Sequence, residues 1–233
     1  MRIQEILPKS VRRYLLRVHH NYVWPRYFKE YIQVIDEGKM PDETLIKKLI
    51  YAWGNQGYSA QVNYLQTLIS YALNTNGTIL ECGSGLSTLV VGVIAKKKSV
   101  RMISFEHFSF WAQKVKKEAL RFDLSMNEIY EAPLKKYESF DWYDINGVDV
   151  HDISLCICDA PPGDTRGGRK GFLYLFLNYM QPGAIILIDD TSRPDEQNMI
   201  EEWKIFCDFD IAFSGVIDPH AILTIKDSKI TAQ

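Results

Sequence analysis

The spacing of apolar residues changes character near residue 78. Before it, apolar positions recur at the helical period; after it, short apolar runs alternate with helical stretches. Val11, Tyr14, Leu15, Val18 and Tyr22 follow the helical period, with arginines mostly between them. Pro41 and Asp42 read as a helix start ahead of Leu45, Ile46, Leu49 and Ile50. A break from Trp53 to Ala60 follows, with Ser59 placed to cap a third helix whose face carries Val62, Leu65, Leu68 and Ile69.

Strands are predicted over 78–82, 101–106, 127–131, 153–159, 184–189, 208–214 and 221–226. Helical stretches at 86–96, 109–121, 169–180 and 195–206, with a short one near 134–139, separate the first six. Such alternation means an α/β, Rossmann-like three-layer fold, with helices on both faces of a mostly parallel seven-stranded sheet. The loop from Gly215 to His220 is too short for a crossover helix, so the last strand should run antiparallel. The expected organisation is an N-terminal helical extension over 1–52 and a main domain over 53–233.

Composition narrows this picture modestly. The chain of 233 residues, 46% hydrophobic and 24% charged, suits one globular domain with an appendage. A formal net charge of -2 offers no global basic field, so no nucleic-acid partner is expected. Cys82, Cys156, Cys158 and Cys207 have no Cys-x-x-Cys spacing and read as reduced, buried thiols. No apolar run reaches the roughly 18 residues of a membrane span. Lys9, Arg12, Arg13 and Arg17 interrupt any secretory signal, so a cytoplasmic location is expected. Residues 1–35 carry seven Lys/Arg against two acids. They read as a helix packed on the main domain with a solvated basic face, or as a contact with a membrane surface or partner.

The segment Thr78-Ile79-Leu80-Glu81-Cys82-Gly83-Ser84-Gly85-Leu86-Ser87-Thr88 is a strand, a glycine turn and a helix start. Gly83 and Gly85 permit unusual backbone angles and close approach of a ligand. The N–H groups beginning the helix favour an electron-rich group, and Glu81 suits a positive amino group. Dinucleotide enzymes use a similar turn, but their third glycine is Thr88 here, and Glu81 would repel a pyrophosphate.

Glu81-x-Gly83-x-Gly85-x-Ser87-Thr88 resembles the first motif of the class I S-adenosylmethionine-dependent methyltransferases, and the likeness extends over 53–226. The resemblance implies that Glu81, Gly83, Ser84, Gly85, Ser87 and Thr88 hold the methionine part of the cofactor. It implies that Glu106, ending the second strand, holds both ribose hydroxyls, as βαβ geometry suits.

Two more strands lead into acids, Asp159 in Asp159-Ala160-Pro161-Pro162-Gly163 and the pair Asp189-Asp190. This pattern resembles a bacterial branch that includes sugar and macrolide O-methyltransferases, and the catechol O-methyltransferase group. The metal-dependent relatives imply Mg2+ on Asp159, Asp189 and Asp190, gathering substrate hydroxyls. The alternative is an Asp159 that contacts the cofactor's amino group or the substrate without metal. Where catechol-type enzymes place a lysine after that acid, Pro162 stands, leaving the general base open between Asp159, Asp189 and a bound cation.

The loop from Gly163 to Gly171 reads as a basic clamp for an anionic substrate or as a solvated connection. Trp53, Tyr58, Trp142 and Tyr143 could wall the acceptor site or fill core. His107 and His220 are lone base candidates. The expected activity is O-methylation of a small hydroxylated acceptor, sugar or natural-product-like. The rivals are an NAD(P)-dependent oxidoreductase and a non-catalytic protein docking through its basic helices.

Overall fold

The computed structural model describes residues 8–55, 60–216 and 219–228. It divides into two compact units, Met1–Val62 and Asn63–Gln233. In the first, α1 (Lys9–Asp36) lies against α2 (Glu43–Trp53). Asp42 caps α2, its carboxylate accepting from the Leu45 N–H at 2.7 Å, and Gly54 ends it with φ 76°. The inward face of α2 is Leu45, Ile46, Leu49, Ala52 and Trp53, close to the expected set.

The inward face of α1 differs from the expectation. It consists of Val23, Trp24, Phe28, Tyr31 and Ile35, while Val11, Tyr14, Leu15, Val18 and Tyr22 are exposed. Length explains the difference within this unit. At about 1.5 Å per residue, the 11 residues of α2 can cover less than half of the 28 residues of α1.

The second unit opens with α3 (Val62–Asn74), which buries Tyr64, Leu65, Leu68, Ile69 and Ala72. Its expected cap, Ser59, lies outside the described residues. There follow β1 (Thr78–Cys82), α4 (Leu86–Lys98), β2 (Met102–Glu106), α5 (Ser109–Arg121) and β3 (Asn127–Glu131). Next come β4 (Leu134–Lys136), β5 (Asp141–Tyr143), β6 (Ile153–Cys158) and α6 (Gly171–Phe176). The chain closes through β7 (Met180–Ile188), α7 (Pro194–Trp203), β8 (Cys207–Ser214) and β9 (His220–Ser228). The seven-stranded sheet has the order β3-β2-β1-β6-β7-β9-β8, and only β9 runs against its neighbours.

The order reverses between β1 and β6. Right-handed crossovers then place α4 and α5 on one face and α6 and α7 on the other. Strand alternation divides the side chains accordingly. Leu80, Cys82, Phe105, Cys158 and Ile188 join Phe172, Phe176 and Trp203 in one core. Glu81 and Ser104 point to the opposite face, where α4 begins.

The segment near 134–139 is not helical. β4 and β5 form an antiparallel hairpin that buries Trp142 and Tyr143. Arg166 holds the turn between them by donating to the carbonyls of Tyr137, Glu138 and Phe140. All four cysteines are buried and none forms a disulfide.

Candidate functional site

The strand registers bring the expected residues into one row. Cys82 pairs with Phe105 on one side and Cys158 on the other, and Cys158 pairs with Ile188. The next residue on each strand is therefore Glu106, Gly83, Asp159 and Asp189, at the carboxyl edge of β2, β1, β6 and β7. Adjacent strands are about 4.8 Å apart, so the row spans roughly 14 Å across the switch point where open α/β sheets bind ligands.

Gly83 is the residue that the backbone requires. Its φ is +90°, and a Cβ there would lie 2.7 Å from the Cβ of Ala160. Gly85 is extended, and a Cβ would meet only Trp111 at 4.0 Å, so its glycine is not demanded by conformation. Gly83→Ala is expected to cost about 1–3 kcal/mol from strain and crowding, while Gly85→Ala stays within about 1 kcal/mol. Paired urea melts check this contrast.

Behind the turn, Glu81 is only 1% exposed. It accepts hydrogen bonds from the hydroxyls of Ser87 (2.6 Å), Thr88 (2.6 Å) and Ser104 (2.7 Å). Thr88 in turn accepts from the Gly85 N–H at 2.8 Å. These side chains knit strand, turn and helix together, with Glu81 and Thr88, both expected as cofactor contacts, bonded to one another. Thr88 thus braces the turn from the position where a pyrophosphate-binding loop has its third glycine.

Loss of water pushes the Glu81 carboxyl up to about 7, against its three hydroxyl donors. A raised carboxyl stabilises the fold fully below its unfolded value and loses that contribution as pH rises through the folded one. Wild type should therefore lose roughly 3 kcal/mol relative to Glu81→Gln between about pH 4.5 and 7.5. Melts of both proteins across that window measure the difference; a constant gap would refute it.

In front of the turn, Glu106 is 5% exposed. One carboxylate oxygen accepts from the Ser84 N–H (3.0 Å) and hydroxyl (3.1 Å), and the other from the Phe108 N–H (2.9 Å). His107 Nδ1 lies 3.3 Å from Glu106. His220 is buried, bonded through Nε2 to the Thr67 hydroxyl at 2.9 Å, and takes a packing position beside Tyr64.

At the other end of the row the decisive residue is Arg169, which no sequence motif distinguishes from the other cations of the Gly163–Gly171 loop. Its side chain is 2% exposed. It donates to the carbonyl oxygens of Asp189 (2.6 Å) and Asp159 (2.8 Å), and contacts the carboxylates of Asp159 (3.3 Å) and Asp190 (3.1 Å). Buried Glu196 approaches its Nε at 3.8 Å. Asp190, at φ +60°, also pairs with Arg193 at 2.9 Å, and Asp189 accepts the Asp190 N–H.

A Mg2+ on Asp159, Asp189 and Asp190 does not fit this arrangement. A guanidinium already lies among the carboxylates and would repel a dication there. Among the described residues no group of three or more His, Cys, Asp or Glu is placed to hold a metal ion. The basic-clamp reading is corrected with it. Arg166 pairs with Asp141 at 2.7 Å and Lys170 with Glu202, so the loop's cations serve the fold. The half-buried carboxyl of Asp159 is pushed up to about 8, first by loss of water and further by Asp189 and Asp190, while Arg169 pulls it down.

The aromatic residues divide as packing requires. Trp142 and Tyr143 are core, and Trp53 packs on Trp24 at 5.1 Å. Tyr58 lies outside the described residues.

No protein-family model matches this chain, and no curated protein does. Solved structures do. A methyltransferase from Podospora anserina, bound to SAH, shares 15% identity at a TM-score of 0.57, covering 95% of this chain and 99% of its own. An O-methyltransferase from Bacillus cereus, in complex with SAH, shares 13% at 0.55, covering 92% and 100%. A protein from Clostridium thermocellum assigned as an rRNA methylase shares 12% at 0.53, covering 72% and 98%. The chain therefore has the Rossmann-like class I methyltransferase fold. The exclusion of nucleic acid drawn from net charge finds no support in these neighbours.

Proposed function

We propose that the chain is a cytoplasmic S-adenosylmethionine-dependent methyltransferase that O-methylates a small hydroxylated acceptor without a metal. The row Glu106–Gly83–Asp159–Asp189 carries this reading. It aligns a ribose-binding acid, a glycine turn open to a ligand, and a proton acceptor along one sheet edge. The two SAH-bound neighbours share the fold that builds such an edge.

In this reading Ser84 offers its backbone N–H to the cofactor, and Glu81, Ser87 and Thr88, with the Gly85 N–H bonded to Thr88, hold the turn that presents it. Glu106 exchanges its Ser84 and Phe108 donors for the ribose hydroxyls. Methyl transfer is an in-line displacement at a sulfonium carbon, so alignment supplies most of the rate. Asp159 accepts the acceptor hydroxyl's proton as the new C–O bond forms and the C–S bond breaks. Arg169 supplies the fixed positive charge that a metal supplies elsewhere and keeps Asp159 ionisable near neutral pH.

Four buried cysteines that form no disulfide support the cytoplasmic location. Among the described residues no helix is long and apolar enough to cross a membrane. The sugar or natural-product-like character of the acceptor rests on the Asp159-Ala160-Pro161-Pro162-Gly163 and Asp189-Asp190 pattern.

Transfer of a labelled methyl group to a panel of hydroxylated acceptors tests the mechanism. Turnover should rise with pH through about 8, where Asp159 loses its proton. Asp159→Asn should lose about 10²–10⁴-fold in kcat while binding SAH normally, and EDTA should change nothing. Full turnover by Asp159→Asn, or dependence on added Mg2+, would sink this assignment.

A further inference from the structure

The first half of α1 presents a surface that neither the fold nor the site uses. At 100° per residue, Val11, Tyr14, Leu15, Val18 and Tyr22 occupy one arc of about 100°. All five are exposed, Tyr14 to 65% and Tyr22 to 82%. Trp24, Phe28, Tyr31 and Ile35, which α1 buries, lie about a third of a turn away. The exposed stripe is thus a separate apolar face, not the frayed end of the packed one.

Its charge is one-sided. From Lys9 to Lys29 the helix contains Lys9, Arg12, Arg13, Arg17, Arg26 and Lys29 and no Asp or Glu. Arg12 and Arg17 flank the stripe, Lys9 and Arg13 lie opposite, and Arg26 and Lys29 continue its line one to two turns further on. A shallow cleft formed by Tyr22, Pro25, Arg26 and Lys29 marks that junction.

We infer that α1 docks the protein on the anionic surface of a lipid bilayer, lying in the interface with Val11, Leu15 and Val18 immersed. An apolar face backed by one whose charges are all basic, with exposed Leu16 among them, is the pattern of interfacial helices. Tyr14 and Tyr22 suit the headgroup level, with ring and hydroxyl in different media. The long stems of Arg12, Arg17 and Arg26 reach outward to lipid phosphates. A second copy of this chain would fit less well, because pairing two such helices brings like charges together.

Vesicle co-sedimentation of the full chain decides this. Binding to phosphatidylcholine vesicles containing phosphatidylserine should exceed binding to phosphatidylcholine alone by about tenfold or more, and should weaken with salt. Arg12→Glu/Arg13→Glu/Arg17→Glu should remove that preference. Leu15→Asp/Val18→Asp should weaken binding to both vesicles. All five positions are exposed, so both variants should keep the wild-type melting temperature and SAH affinity. Equal binding to both lipids, binding to neither, or variants that bind like wild type would overturn the inference. So would a concentration-dependent dimer that the Leu15→Asp/Val18→Asp variant abolishes without any lipid binding.

Discussion

Arg169→Met is expected to be among the most damaging single substitutions outside the apolar core. Met matches the stem but leaves Asp159, Asp190 and Glu196 facing one another without the cation between them. It also strips donors from the carbonyl oxygens of Asp159 and Asp189. Removing one partner of a buried charged cluster typically costs about 3–5 kcal/mol, a large part of a domain's net stability. Urea denaturation measures it. Arg169→Lys should recover little, since a point charge cannot reach two carbonyls and two carboxylates at once. A second readout separates function from stability. Arg169 pulls the Asp159 carboxyl down, so variants that fold should shift the pH–rate profile to higher pH. A loss of under about 1 kcal/mol would mean that the cluster is a surface feature.

Glu106→Ala should leave the fold largely intact and abolish cofactor binding. The carboxylate sits at a strand end, and its three donors come from Ser84 and Phe108 in the flanking loops. A charged acceptor of two hydrogen bonds contributes about 1.5–3 kcal/mol per bond. Affinity for SAH should therefore fall by roughly 10²-fold or more, well beyond the change in melting temperature. Glu106→Gln, which keeps one acceptor oxygen, should fall between the two. Glu106→Ala with wild-type affinity would remove the ribose assignment and leave the row of strand ends without its cofactor end.

Much of this was legible in the sequence, for identifiable reasons. β1 spans the predicted 78–82 with every residue buried, and β6 follows the apolar run from Ile153 to Cys158, because buried parallel strands need continuous apolar residues. The antiparallel β9 followed from a loop too short to cross over. Strand ends are fixed by those runs, so Glu106, Asp159 and Asp189 could be placed before their registers were known.

The rest depended on contacts between residues distant in sequence. Arg169 belongs to a loop of glycines and charges whose composition says nothing about burial. Only the packing of β6, β7 and α7 shows which of its cations turns inward. The same holds for 134–139, where Trp142 and Tyr143 are drawn into the core by Phe105 and Phe172. The helical period of α1 was read correctly as amphipathic, but periodicity cannot say whether an apolar face meets protein or solvent. The motif at Glu81 was legible as a motif, yet the bonds that brace its turn were not. Hydroxyls at Ser87, Thr88 and Ser104 converge on Glu81 only once α4 and β2 are in place.

The central claim is that the carboxyl edge of β2, β1 and β6 holds S-adenosylmethionine without help from a metal. Calorimetric titration of the full chain with SAH, in EDTA, tests it most directly. One site of micromolar affinity is expected, unchanged by Mg2+, lost in Glu106→Ala and not competed by NAD. Binding of NAD in place of SAH, or no SAH binding at high micromolar concentration, would contradict it.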